Sequence, residues 1–131
     1  MKILLSIFAI FAITAVSAYA APPVASGTIS GPNEAAPYAF GDEITFTTTT
    51  SGLRGTQYPL VYVECYSVVD GTFLYGQLDH PIATFELGAD SSQWHVQRDD
   101  ANCNATLYAY GGKGQTPQIV ELASLAFAAD G

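Results

Sequence analysis

The chain has 131 residues, with twelve acidic and four basic side chains and a formal charge of −8. A field of that sign repels phosphate backbones and anionic lipid surfaces, which argues against nucleic-acid binding and against electrostatic membrane adhesion. Abundant aromatic and β-branched residues and the lack of a low-complexity tail indicate a globular domain.

Residues 1–20, "MKILLSIFAIFAITAVSAYA", place one lysine before an uncharged apolar run and end in Ala18-Tyr19-Ala20. This is the layout of a secretory signal peptide with cleavage after Ala20. It predicts an exported domain of residues 21–131, extracellular or held at the cell surface. The alternative is an uncleaved anchor, because an apolar run of about 20 residues spans a bilayer.

The rest of the chain reads as short strands divided by turns. "VASGTIS" (24–30) ends at Gly31-Pro32, and the turn signal "YAFGD" introduces "EITFTTTT" (43–50), whose threonines favour a strand. "YPLVYVECYSVV" (58–69) is the strongest strand signal. It closes at Asp70-Gly71, a hairpin dipeptide, and "TFLYG" follows at once. "IATFEL" (82–87) ends at Gly88, and "SQWHVQ" (92–97) is a further short strand or a corner. "NCNATLYAY" (102–110) alternates strictly and ends at Gly111-Gly112. The last run, "QIVELASLAF" (118–127), opens with Ile-Val after a Gly/Pro loop and is read as strand rather than helix. Seven or eight short strands with turns between them predict an antiparallel β-sandwich.

Cys65 and Cys103 are the only cysteines, and an even count in an exported chain predicts one disulfide. Alternation puts Cys65 on one face with Val61 and Val63, and Cys103 on one face with Ala105 and Leu107. Both cysteines are therefore expected in the core, joined to each other. Two cysteines make a poor metal site, and neither histidine lies at ligand spacing from them, so no metal or other cofactor is expected.

This pattern resembles an immunoglobulin-like domain of bacterial or viral type over residues 24–127. "YAFGDEITFTTTT" is similar to the Gly-Asp entry into strand B and "YPLVYVECY" to strand C. "TFLYG", "ATFEL", "ANCNATLYAY" and "QIVELASLAF" are similar to C′, E, F and G. Two departures stand out: the first cysteine falls on C rather than B, and the only tryptophan, Trp94, precedes F. The resemblance implies that C and F are neighbours in one sheet, so the bridge is cross-strand. It also implies a shared outer face bearing Tyr62, Tyr66, Asn104, Thr106, Tyr108 and Tyr110, with Glu64 among them.

Tyrosine offers a large, fairly rigid ring and a hydroxyl at modest entropy cost, which suits a protein-binding surface. The same residues suit stacking on a sugar, and they also suit ordinary cross-strand packing on a solvated sheet. Asn104-Ala105-Thr106 fits the N-glycosylation sequon. Candidates for chemistry are sparse. Asp79 and His80 fall in a loop and, with His95 and Ser91-Ser92, show no nucleophile-base pattern, and Asp99-Asp100 lacks the oxygen-ligand spacing of a calcium loop and reads as a turn.

The sequence therefore predicts a non-enzymatic binding or adhesion module without catalytic residues, whose partner is an extracellular protein or surface glycan. It makes no membrane contact after signal cleavage. Two alternatives are a structural envelope or virion component that self-associates through its edge strands, and a secreted hydrolase inhibitor acting through the 111–117 loop.

Overall fold

The computed structural model describes residues 24–89, 91–112 and 117–131; the signal-peptide segment and most of the 111–117 loop lie outside them. The described chain is all-β apart from one 3-10 turn, and none of it is a helix long and apolar enough to cross a membrane. Its strands are β1 (Ser26–Ser30), β2 (Tyr38–Ala39), β3 (Glu43–Ile44), β4 (Thr47–Ser51), β5 (Tyr58–Ser67), β6 (Phe73–Asp79), β7 (Phe85–Glu86), β8 (Ala101–Gly111) and β9 (Gln118–Asp130). Five of them form one sheet in the order β2-β9-β8-β5-β6, while β1 pairs with β4 and β3 with β7.

The main sheet is not purely antiparallel as expected. Tyr38 and Ala39, inside the segment read as a turn, run parallel to Ala129 and Asp130, which makes the sheet mixed. The Tyr38 ring meets Phe127 edge-on at 5.7 Å and its hydroxyl donates to the Glu34 carbonyl at 3.0 Å, so this short strand is held by its side chain.

Two predicted strands are shortened and the 92–97 run takes the corner of its two expected forms, each for a local reason. The 43–50 run divides at Thr45-Phe46, because the Thr45 N–H and hydroxyl both donate to the Glu34 carboxylate, at 2.8 and 2.6 Å. Asn33 reinforces the break through the Thr45 carbonyl and the Thr47 hydroxyl. Burial pushes the Glu34 carboxyl up, but the Thr45 donors outweigh it and leave a net lowering. In the 82–87 run only Phe85 and Glu86 pair, since Ala83 turns back onto the His80 carbonyl after Pro81 and leaves Ile82 exposed. Residues 93–95 form the corner, a 3-10 turn that carries Trp94 into the core, where its indole N–H donates to the Asp99 carbonyl at 2.8 Å.

One core collects the inward side chains of every layer, including Ile44, Phe46, Val61, Val63, Leu74, Phe85, Leu87, Trp94 and Leu107. The expected disulfide is present: Cys65 and Cys103 stand directly opposite in the β5-β8 ladder, 4.0 Å apart at Cα and almost wholly buried. Asp70-Gly71 closes the β5-β6 hairpin as predicted, with the Ser67 N–H donating to the Thr72 carbonyl at 2.9 Å. Gly27 lets β1 approach the main sheet closely. A Cβ there would stand 2.7 Å from the Thr49 carbonyl oxygen and 2.9 Å from a Leu107 methyl.

Two outcomes follow for stability. Replacing both cysteines by alanine is expected to cost about 4 kcal/mol in urea unfolding, because the bridge closes a 38-residue separation in the unfolded chain. Gly27→Ala is expected to lower stability by about 1–3 kcal/mol in the same assay, since one neighbour it meets is backbone that has little room to yield.

Candidate functional site

The outer face of the main sheet is built by parity. With Cys65 opposite Cys103, every even residue of β5 and β8 points away from the core, and the register sets Leu60 opposite Tyr108, Tyr62 opposite Thr106 and Glu64 opposite Asn104. On the flanking strands Leu78 stands beside Tyr62, and Ile119 and Glu121 stand beside Tyr110 and Tyr108. Leu60, Tyr62, Leu78, Tyr108, Tyr110 and Ile119 together line a hollow of about 310 Å³. Its floor and walls are apolar, with the phenolic hydroxyls as the polar groups of the lining side chains. Tyr58, which also faces outward, packs edge-on against Tyr110 with centroids 5.3 Å apart and extends this surface.

Tyr66 belongs to a second cluster further along β5. It packs edge-on against Phe73 at 5.5 Å and donates its hydroxyl to Glu64 at 3.1 Å. Gly76 lies between the two clusters. A Cβ there would stand 2.7 Å from the Phe73 ring and 2.8 Å from the Tyr62 hydroxyl, so the missing side chain is what lets both rings close over the strand.

Two phenols of this face, Tyr62 and Tyr66, hold their protons more firmly than a free tyrosine. Burial pushes Tyr62 up, and the charges of Glu64 and Tyr108 add to the shift. Tyr66 is raised by burial and then by its bond to Glu64. Both therefore act as neutral hydrogen-bond donors across the physiological range.

Of the residues expected on this face, Tyr62, Tyr108 and Tyr110 come together, while Tyr66 stands apart from the hollow. Asn104 is half-buried, and its amide nitrogen, the atom a glycan would occupy, donates to the Thr106 hydroxyl at 3.2 Å. Thr106 shares the face but is only 4 % exposed, which makes it support beneath the rings rather than contact surface. The sequence reading left out Tyr58, Leu78 and Ile119 and did not single out Leu60. Leu60 was accessible from its parity with Tyr62, whereas Leu78 comes beside Tyr62 only through the bulge that shifts the β5-β6 register between Cys65 and Tyr66. Ile119 required the register of β9, to which no turn dipeptide points.

Asp99 and Asp100 belong to structural contacts at the opposite end of β5. The Asp99 carboxylate accepts from the Ser67 hydroxyl and the Gln97 amide, both at 2.7 Å, while Asp100 accepts from the Gly131 N–H at 2.9 Å. Gln97 also donates to Asp70. His95 is exposed with its ring 5.4 Å from Phe40, and Arg98 stacks 3.5 Å over that same Phe40 ring. No group of three or more His, Cys, Asp or Glu side chains is placed to hold a metal ion among the described residues. Comparison with family models, with curated proteins and with solved structures finds no match to this chain.

The Asp70 carboxyl is held down to about 2, first by its bonds to Thr72 and then by Gln97 and Ser67. Its folded pKa lies below the unfolded value of about 3.9, so its stabilisation is complete above the latter and disappears as pH falls through the former. Asp70→Asn is expected to flatten the loss of thermal stability between roughly pH 4 and pH 2, measured by melting at a series of pH values.

Proposed function

We propose that this chain is an exported immunoglobulin-like binding module that recognises an extracellular protein through its tyrosine-bearing sheet face. The observation that carries the reading is the hollow lined by Leu60, Tyr62, Leu78, Tyr108, Tyr110 and Ile119. Aliphatic side chains around three rings suit an apolar side chain of a protein partner, which the phenolic hydroxyls then orient by hydrogen bonding. A sugar, with hydroxyls around its whole rim, would leave many of them facing Leu60, Leu78 and Ile119 unpaired.

The fold half of the proposal rests on strand order. The run β9-β8-β5-β6 corresponds to G-F-C-C′ in an immunoglobulin-like sandwich, with the β1-β4 and β3-β7 ladders in the places of A-B and B-E. The cross-strand position of the disulfide, and a tryptophan supplied from the corner before F, are this chain's own variations on that plan. Export rests on the sequence of residues 1–20, and a buried disulfide agrees with an oxidising destination.

The test is binding of the labelled secreted chain to whole cells and envelope fractions, beside Tyr62→Ser/Tyr108→Ser shown by circular dichroism to be folded. Saturable binding is expected, abolished by protease treatment of the cells. The variant is expected to lose about 2 kcal/mol or more, roughly 30-fold in affinity, as at an aromatic hot spot. Undiminished binding by the folded variant would move the contact off this face. Binding that resists protease and yields to glycosidase would make the ligand a glycan.

A further inference from the structure

The hollow on the outer face is apolar, but the face around it is not neutral. Two of the outward side chains on β5, β6, β8 and β9 carry charge, and both are carboxylates, Glu64 and Glu121. Glu64 stands two residues past Tyr62 on β5, opposite Asn104, while Glu121 stands opposite Tyr108 on β9. Strands roughly 4.8 Å apart, with a rise of roughly 3.3 Å per residue, put their Cα atoms about 16 Å apart, one beside the hollow and the other beyond its Tyr62 end. The chain's four basic residues, Lys2, Arg54, Arg98 and Lys113, all fall outside these strands.

Any side chain seated in the hollow brings its owner's surface over both carboxylates. Glu64 is already half-buried, with one oxygen accepting from the Tyr66 hydroxyl at 3.1 Å, and Glu121 is exposed. Covering a carboxylate with a surface that offers it no donor strips away water and returns nothing. An ammonium or guanidinium group turns the same approach into a charge-assisted hydrogen bond. The formal charge of −8 acts in the same direction at longer range, drawing in a cationic partner and repelling an acidic one.

We propose that the partner is a basic protein surface, which seats an apolar side chain in the hollow and flanks it with lysine or arginine residues that meet Glu64 and Glu121. The proposal rests on the reading of the hollow as a protein-binding site and adds to it the charge of what binds. In an extended segment, side chains two residues apart share one face at a spacing of roughly 6.6 Å. Basic residues two places before and after the apolar one, with their long stems lying along the rings and aliphatic side chains, therefore span the distance between the two carboxylates.

The test is an NMR titration of the isotope-labelled secreted chain with three end-blocked peptides, Lys-Ala-Leu-Ala-Lys, Gln-Ala-Leu-Ala-Gln and Glu-Ala-Leu-Ala-Glu. The lysine peptide is expected to shift amides of β5 and β8 around the hollow and to bind about fivefold or more tightly than the glutamine peptide at low salt. The glutamate peptide is expected to bind weakest, and the differences to shrink as salt is raised. Glu64→Gln/Glu121→Gln is expected to remove the lysine advantage and leave binding of the glutamine peptide unchanged. Glu43→Gln/Glu86→Gln makes the same change in net charge on the β3-β7 ladder and is expected to keep the advantage. Equal binding of the lysine and glutamine peptides overturns the proposal and leaves the apolar site standing. So does an advantage that survives Glu64→Gln/Glu121→Gln or disappears with Glu43→Gln/Glu86→Gln. Binding that persists in Tyr62→Ser/Tyr108→Ser, or no shift at the hollow with millimolar peptide, overturns the reading of the face and the proposal with it.

Discussion

The pairing of β5 with β8, fastened at Cys65–Cys103, is the constraint from which the rest of this molecule follows. Strand side chains alternate with a period of two, so a slip of one residue would carry every inward group to the outside. In the register the bridge enforces, Val61 faces Leu107 and Val63 faces Ala105 on the buried side, while Leu60, Tyr62 and Tyr58 line up with Tyr108, Thr106 and Tyr110 on the other. A single covalent contact thus defines the core and the outer aromatic surface together. The bridge also lies mid-sheet, between the hairpin partner β6 on one side and β9 on the other, so both flanking strands take their alignment from it.

The inner face of β8 is made of small residues, Ala101, Cys103, Ala105 and Ala109, relieved by Leu107 alone. Space left by those side chains is filled from the facing segments by Phe46, Phe85 and Trp94, with Phe46 and Phe85 meeting edge-on at 5.7 Å. Large residues set against small ones let two thin layers interlock without voids. It also explains why the 3-10 turn exists: a strand at 92–97 would lie flat, whereas the turn swings the indole of Trp94 inward to where a partner is needed.

Features set by local pattern were legible in the sequence. The alternation in "NCNATLYAY", the Asp70-Gly71 hairpin, the disulfide and the extended form of the last segment all follow from side-chain period and turn chemistry. The parallel seat of Tyr38 was not legible, because it depends on Phe127 and Asp130, far along the chain. Nor was the break at Thr45, where a carboxylate from Glu34 takes a strand N–H that propensity alone would assign to a ladder. The tyrosines of the candidate site could be placed on a face by parity. Their division into a hollow and a separate Tyr66-Phe73 pair could not, since it turns on ring packing over Gly76.

The β1-β4 ladder gives the molecule two chemically opposed sides. Ser26 meets Ser51 at 2.7 Å, Thr28 meets Thr49, and the Ser30 hydroxyl reaches the Thr47 carbonyl, forming an exposed rank of hydroxyls that satisfy one another across the strands. The backs of these strands press through Gly27 onto Leu107 and Leu122, on the side of the main sheet away from the tyrosines. One surface is therefore aromatic and partly dehydrated, while the opposite one is a hydroxyl mat that water wets readily. A body built in this way has a preferred orientation at any boundary between an apolar contact and solvent: the rings turn toward the contact, and the Ser/Thr mat stays facing the medium.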